Sequence, residues 1–332
     1  MITDIALQSD NRLNFIRQGV ETDFEAVNAL ILANLHSEVP LIPTIVRHII
    51  DSGGKRLRPL LTLLCAKALG YQGKDHIQLA AIIEFIHTAT LLHDDVVDES
   101  SLRRGKPTAN TVWGGKASIL VGDFLYSRTF QLIIQLKNLS VMQILADATN
   151  KIAEGEVLQL AEKNNPDITE AHYYKVIQCK TAMLFAAAAE ISAAVTVCSE
   201  EQRQALSNYG LHLGMAFQMI DDWLDYMAPA ADTGKNLGDD LTEGKVTLPL
   251  IYAMQHGTSA QADLIRQAIL QGGLTDFKEI LAIVKATGGF DYIRKQAQYQ
   301  VNLAQAQLAC LPESSYKTAL WELALLAIDR KA

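Results

Sequence analysis

Two aspartate triplets of one form, Asp94-Asp95-Val96-Val97-Asp98 and Asp221-Asp222-Trp223-Leu224-Asp225, each close an apolar helical run. The first follows Ile82 to Leu92, and the second follows Met215, Phe217, Met219 and Ile220. On a helix, Asp94 and Asp98 are four positions apart and share a face, while Asp95 and Asp98 are three apart. Like charges at that spacing repel, and aspartate is a poor helix former. A solvated acidic helix end would tolerate the pattern, but an apolar run before it marks a buried helix, so each triplet asks for a compensating cation. Magnesium suits it: a hard ion that seeks oxygen and bridges one or two carboxylates to substrate phosphates. Two such helices facing each other in a bundle can hold a small cluster of divalent ions and grip a diphosphate from both sides.

The rest of the chain reads as helix. Apolar residues recur at three- and four-residue spacing, as in Leu79, Ile82, Ile83, Ile86 and Leu91. Asn-Gly and Asp-Gly hairpin signals are absent, and prolines number only eight. Breaks fall at Ser52-Gly53-Gly54, Gly105-Lys106-Pro107, Gly114-Gly115, Asn164-Asn165-Pro166 and Pro229 to Gly238, among others. With 332 residues and 49% hydrophobic content the chain can bury a sizeable core, and no repeat or linker divides it. The expectation is one all-α domain over residues 1–332.

A net charge of −8 argues against a nucleic-acid partner, which would select a basic face. An anionic substrate must then be held locally, by clustered Lys and Arg or by bound cations. Cys65, Cys179, Cys198 and Cys310 are scattered without metal-type spacing and read as buried thiols in a reducing compartment. The N-terminus has no apolar signal core, and the Ala-rich run Thr181 to Cys198, interrupted by Glu190, reads as a buried helix and not a transmembrane segment. The expected location is the cytoplasm.

Basic residues complete the pattern. Gly53-Gly54-Lys55-Arg56-Leu57-Arg58-Pro59 precedes a helix, and a loop and helix N-terminus with added Lys and Arg make a natural phosphate cradle. Arg103-Arg104-Gly105 follows the first triplet, Lys180-Thr181 heads another apolar run, and Lys235 and Lys245 flank Gly238-Asp239-Asp240. Singly, each is a surface charge; next to glycine breaks and aspartate triplets they form a set. The His93-Asp94 pair also suggests a metal-dependent phosphohydrolase, but the remaining histidines have no matching helical context.

The segments Lys55 to Pro59, His87 to Asn110, Lys180-Thr181 and Phe217 to Leu250 resemble the trans-isoprenyl diphosphate synthase family, and the likeness covers essentially all 332 residues. The resemblance implies an all-α bundle of the isoprenoid-synthase type around a deep central cavity, usually a homodimer. It implies a prenyltransferase that condenses isopentenyl diphosphate onto an allylic diphosphate, with a farnesyl primer and a product near C40 for quinone side chains, a heptaprenyl or nonaprenyl product being the alternative. Asp94, Asp98 and Asp221 would ligate magnesium, three ions per site with substrate bound, supported by Asp95, Asp222 and Asp225. Lys55, Arg58, His87 and Arg104 would hold isopentenyl diphosphate; Arg103, Lys180, Thr181, Gln218, Lys235 and Lys245 would hold the allylic diphosphate. Gln159, in Gly155-Glu156-Val157-Leu158-Gln159, stands where short-chain members often carry an aspartate, which favours the long-chain branch. A terpene cyclase would usually carry one such triplet and need no isopentenyl site, and a non-catalytic subunit would tend to lose one or both triplets. Product release would involve at most peripheral contact with a membrane.

A growing chain must extend along the same helices. Thr90 lies one turn before Asp94, about 6 Å deeper, and Ala89 adjoins it. Both are small and leave a tunnel open, although close helix packing also selects small residues. Ile133 and Leu145 are the expected floor.

Overall fold

The computed structural model describes residues 9–227, 238–272 and 276–329. Its first helices are α1 (Ser9–Gln18), α2 (Glu21–Ala33), α3 (Leu41–Ile50), α4 (Leu57–Ala68) and α5 (Asp75–Val97). A two-stranded hairpin follows, β1 (Leu102–Arg103) with β2 (Lys106–Pro107), and then α6 (Ala109–Trp113), α7 (Gly115–Gln135), α8 (Leu139–Ala161) and α9 (Glu170–Ile177). A π-helical turn, Gln178–Ala182, joins α9 to α10 (Met183–Ala194), and α11 (Glu200–Met227) carries the second triplet. Beyond it lie α12 (Asp239–Thr242), α13 (Leu248–His256), α14 (Ser259–Gln271), α15 (Phe277–Thr287), α16 (Gly289–Gln307) and α17 (Ser315–Ile328).

The helix that organises the bundle is α10. It is apolar on nearly every face, as a helix must be when it is surrounded, and it packs against α4, α5, α8 and α11. Continuous with α9, it forms Glu170–Ala194, which is long and apolar enough to cross a membrane by length and composition, yet 61% of its apolar window is buried inside the protein. The Ala-rich run is therefore core, as expected. The expectation that Lys180 and Thr181 head this helix is corrected: helix runs upstream of them, and both sit inside the π turn.

Small side chains let α11 come close to α10. A Cβ added at Gly210 would lie 2.3 Å from the carbonyl oxygen of Phe185, and one at Gly214 would lie 2.6 Å from the Cα of Ala182. Further along, α11 passes between two apolar cores. Leu206, Tyr209 and Leu213 belong to a core shared with α2, α4, α5, α7, α8 and α10. Met215, Met219 and Leu224 belong to a second core built with α13 to α16. The first core thus anchors the helix ahead of the second triplet, and the second core holds the stretch that carries it.

The all-α expectation holds apart from the hairpin. Its two-residue turn, Arg104 (φ 52°) and Gly105 (φ 74°), has both residues in the left-handed region, as a type I′ turn requires, with Arg103 paired to Lys106.

Alanine is preferred over glycine in a helix by roughly 1 kcal/mol, but overpacking a close contact costs about 1–3 kcal/mol. With only 2.3 Å available at Gly210, the clash wins. Gly210→Ala is expected to lower the denaturant midpoint, and a raised midpoint would contradict this packing.

Candidate active site

On α5 the partly exposed residues Glu84, His87, Leu91, Asp94 and Asp98 recur at three- and four-residue spacing, with Thr90 beside them. Most of the rest of the helix from Leu79 onward is buried. The same spacing leaves Gln218, Asp221 and Asp225 partly exposed on α11. These two stripes face a common space. Arg58 feels the charges of both Asp94 and Asp221. Lys245, which follows the second triplet in the chain, reaches across to Asp98 of the first, Nζ to Oδ2 2.9 Å.

The space has two connected parts. The larger is lined by Tyr173, Lys180, Thr181, Gln218, Asp222 and Lys245. The smaller is lined by Asp98, Glu156 and Glu243, and shares Gln159, Lys180 and Lys245 with the first.

Carboxylates crowd this wall, and lysines hold them apart. Lys180 donates to Glu156 Oε2 at 2.7 Å, and Lys245 is also 2.5 Å from Glu243. Burial pushes Lys180 toward losing its proton, but Asp94, Glu156 and Asp98 outweigh burial and hold it above its ordinary value. Burial raises Asp94, and the neighbouring Asp98 raises it further, against Lys180, Arg103 and Lys245. Burial, then the charge of Asp94, pushes Glu156 up to about 7.

The middle residues of the triplets are structural supports. Asp95 is 1% exposed and takes two hydrogen bonds from Arg103, at 2.9 and 2.7 Å through one carboxylate oxygen. Asp222 accepts from the Tyr173 hydroxyl at 2.6 Å and from Gln218 Nε2 at 2.8 Å, and burial pushes it up to about 7. Thr181 donates to Gln218 Oε1 at 2.8 Å, which ties the π turn to α11. Asp225 accepts from the Asp240 amide at 3.4 Å.

Within reach of the charges of Asp94 and Asp221 lies a cluster of cations around Arg58 and His87. Arg58, in the first turn of α4, sits 4.2 Å from the centre of the Phe185 ring and places Nη1 3.2 Å from His87 Nε2. Burial pushes Arg58 down to about 10, and burial with Arg58, Arg103 and Arg104 keeps His87 neutral. Arg104, at the hairpin tip, lies over Gly54, where a Cβ would be 2.6 Å from Nη1; the glycine keeps that approach open. Lys55 is on the same loop, its carbonyl held by Arg17 Nη2 at 2.9 Å.

The structure thus places Asp98, Lys180, Thr181, Gln218 and Lys245 on the pocket walls, Asp94 within reach of the charges of Lys180, Arg103 and Lys245, and Arg58, beside His87, within reach of those of Asp94, Asp221 and Arg104. Lys235 lies outside the described residues. Ala89 is fully buried in helix packing, whereas Thr90, whose hydroxyl donates to the His87 carbonyl at 2.8 Å, keeps partial exposure. Ile133 on α7 and Leu145 on α8 are buried in the core. Glu84, Glu156, Tyr173 and Glu243 were not singled out from the sequence. For Glu156 a signal existed in Gly155: a Cβ there would meet Cys179 Cβ at 2.7 Å, so α8 must press against the π turn.

Among the described residues no three carboxylate, imidazole or thiol groups converge into a protein-only metal cage. Magnesium does not need one, since it keeps waters and takes phosphate oxygens beside one or two carboxylates. Acidic oxygens on facing helices, with no sulfur donor among them, fit that ion.

Residues 39–285 match the polyprenyl synthetase family. Over 319 residues the chain is 50% identical to the octaprenyl diphosphate synthase of Escherichia coli, covering 96% of this chain and 99% of that protein. It is 47% identical to an all-trans-nonaprenyl-diphosphate synthase of Rhodobacter capsulatus, covering 94% and 96%. A polyprenyl synthase from Caulobacter crescentus, solved with calcium and isoprenyl diphosphate, is similar in structure, with a TM-score of 0.93, 43% identity and 96% and 98% coverage. A decaprenyl diphosphate synthase from Rhodobacter capsulatus gives a TM-score of 0.91 at 45% identity, covering 95% and 98%.

Because burial holds the Asp222 carboxyl near 7, above its unfolded value, the fold binds a proton that the unfolded chain releases. The resulting stability is present below the unfolded value and is lost as pH rises through about 7. Without divalent metal, the melting midpoint should fall from about pH 4 to about 7 relative to that of Asp222→Asn and level off above it. Parallel curves for the two proteins would contradict this.

Proposed function

The chain belongs to the polyprenyl synthetase family, and from that premise we propose that it is a long-chain trans-prenyltransferase adding isopentenyl diphosphate to an allylic diphosphate, with an all-trans product near C40. The observation that carries the reading is the nearness of the two acidic helix faces, with Arg58 within reach of the charges of both Asp94 and Asp221 and Lys245 paired with Asp98. The octaprenyl synthase likeness supports the product length, and a product one C5 unit longer fits the nonaprenyl relative.

In this reading Asp94, Asp98 and Asp221 hold magnesium, supported by Asp95, Asp222 and Asp225 through the neighbours those residues fix. When bound, magnesium neutralises charge developing on the leaving diphosphate. Lys180, Lys245 and Arg103 hold the allylic diphosphate, and Asp95 keeps Arg103 aimed by its paired hydrogen bonds. Thr181 and Gln218 fix the π turn that presents Lys180. Across the cavity Lys55, Arg58, Arg104 and neutral His87 hold the diphosphate of isopentenyl diphosphate, which is not a leaving group.

The allylic C–O bond breaks to give an allyl cation and diphosphate. The isopentenyl double bond attacks the cation, and the proton lost from the adduct goes to the released diphosphate. In this reading Leu91 and Phe217, partly exposed and packed against the first core, supply apolar surface that keeps water from the cation. The second cationic pocket disfavours a cyclase, which has no isopentenyl diphosphate to bind. A homodimer of single-domain chains in the cytoplasm, with a farnesyl primer and the product used for quinone side chains, completes the proposal.

Asp94→Ala or Asp221→Ala should cut turnover by about 10³-fold or more while the helical circular dichroism stays near native. Near-normal turnover in either would remove the assigned site. Thr90→Phe should shorten the product, read by chromatography of product from labelled isopentenyl diphosphate and farnesyl diphosphate, and an unchanged distribution would place the tunnel elsewhere.

A further inference from the structure

Between Lys55 and Arg58 stands Arg56, a cation to which the reading above gives no part. Arg56 caps the start of α4 in the left-handed region, φ 47° and ψ 48°, without being a glycine. For an L-residue that conformation is unfavourable and persists only where neighbours enforce it. Two neighbours do so, from elements distant in sequence. From α2, Asn28 Oδ1 accepts a hydrogen bond from Arg56 Nη1. From α5, Glu84 places Oε1 3.9 Å from Arg56 Nε.

The consequence is directional. With its guanidinium drawn toward α2 and Glu84, Arg56 sets the turn in the chain on either side of which Lys55 and Arg58 stand. Arg17 holds the Lys55 carbonyl from α1, so the loop is pinned at consecutive residues by N-terminal helices. The α2 helix is itself fixed, Asp23 pairing with Lys67 of α4 at 2.9 Å and with His76 of α5 at 2.8 Å. Glu84 is one turn before His87 on the same α5 face, so a single helix carries both the anchor of Arg56 and the partner of Arg58.

We propose that Arg56 is a positioning residue for isopentenyl diphosphate: anchored by Asn28 and Glu84, it fixes the loop that presents Lys55 and Arg58 without touching the substrate. The proposal rests on the assignment of this pocket to isopentenyl diphosphate and deepens it.

Two variants separate positioning from direct contact. Arg56→Gly keeps the left-handed backbone available and removes the anchor, which protects folding. Asn28→Ala leaves every pocket cation in place and removes only the remote acceptor. Binding of isopentenyl diphosphate and, separately, of farnesyl diphosphate with magnesium is measured by calorimetry, with melting midpoints as the folding control. Both variants are expected to weaken isopentenyl diphosphate binding about tenfold, to leave farnesyl diphosphate binding within about twofold, and to melt near the native midpoint. Weakening by Arg56→Gly alone would mean direct contact, and equal weakening of both ligands would mean general loosening; either overturns the proposal, as does unchanged binding in both variants. Native protein that binds isopentenyl diphosphate but never elongates a primer would refute the proposed activity and leave the positioning role standing.

Discussion

Like charges on two half-buried helix faces are the constraint to which the rest of the structure answers. Two carboxylates about 4 Å apart at an effective dielectric near 20 repel by roughly 4 kcal/mol, a large share of the roughly 5–15 kcal/mol that holds a domain together. Such a cluster persists only if cations are built in. Lys180 and Lys245 supply them, each shared between carboxylates of different elements, and Arg103 supplies a third to Asp95. The Ala-rich α10 and the glycines at 155, 210 and 214 bring α8, α10 and α11 close enough for one lysine to serve two helices.

The two sides of the cavity differ in a way that suits their tasks. On one side acids outnumber bases, so the wall attracts added cations, and a diphosphate bound there is bound with them. On the other, Arg58, Arg103 and Arg104 act on a neutral His87, with Glu84 as the acid drawn toward Arg56, Arg58 and Arg104. In the proposed reading a diphosphate held there needs no metal and gains no help in leaving, so that one polypeptide makes one of two chemically similar groups a leaving group and the other a handle.

Much of this was legible in the residues. The triplets and their helical spacing placed Asp94, Asp98 and Asp221 because side-chain direction on a helix follows from position alone. The glycine-flanked cations stood out as a candidate phosphate cradle because such a cradle leaves its mark in one short segment. What the sequence hid is long-range or conformational. Glu156 and Tyr173 stand on helices with no motif of their own, and only the fold brings them to Lys180 and Asp222. The hairpin at Arg104-Gly105 lacks the usual asparagine or aspartate, and the π turn at Gln178–Ala182 looks like continuous helix until α8 and α11 press on it. Arg56 reads as one more phosphate-binding cation; its left-handed backbone and its remote acceptor Asn28 are invisible in the chain.

The central claim, that the two triplets serve one substrate, is tested most directly by anomalous scattering from crystals grown with manganese and a non-hydrolysable allylic thiodiphosphate. The account predicts ions on both Asp94/Asp98 and Asp221, joined by oxygens of a single diphosphate, with Lys180 and Lys245 moved from carboxylate to phosphate. Ions on one triplet only, or a diphosphate bound away from both, would contradict it.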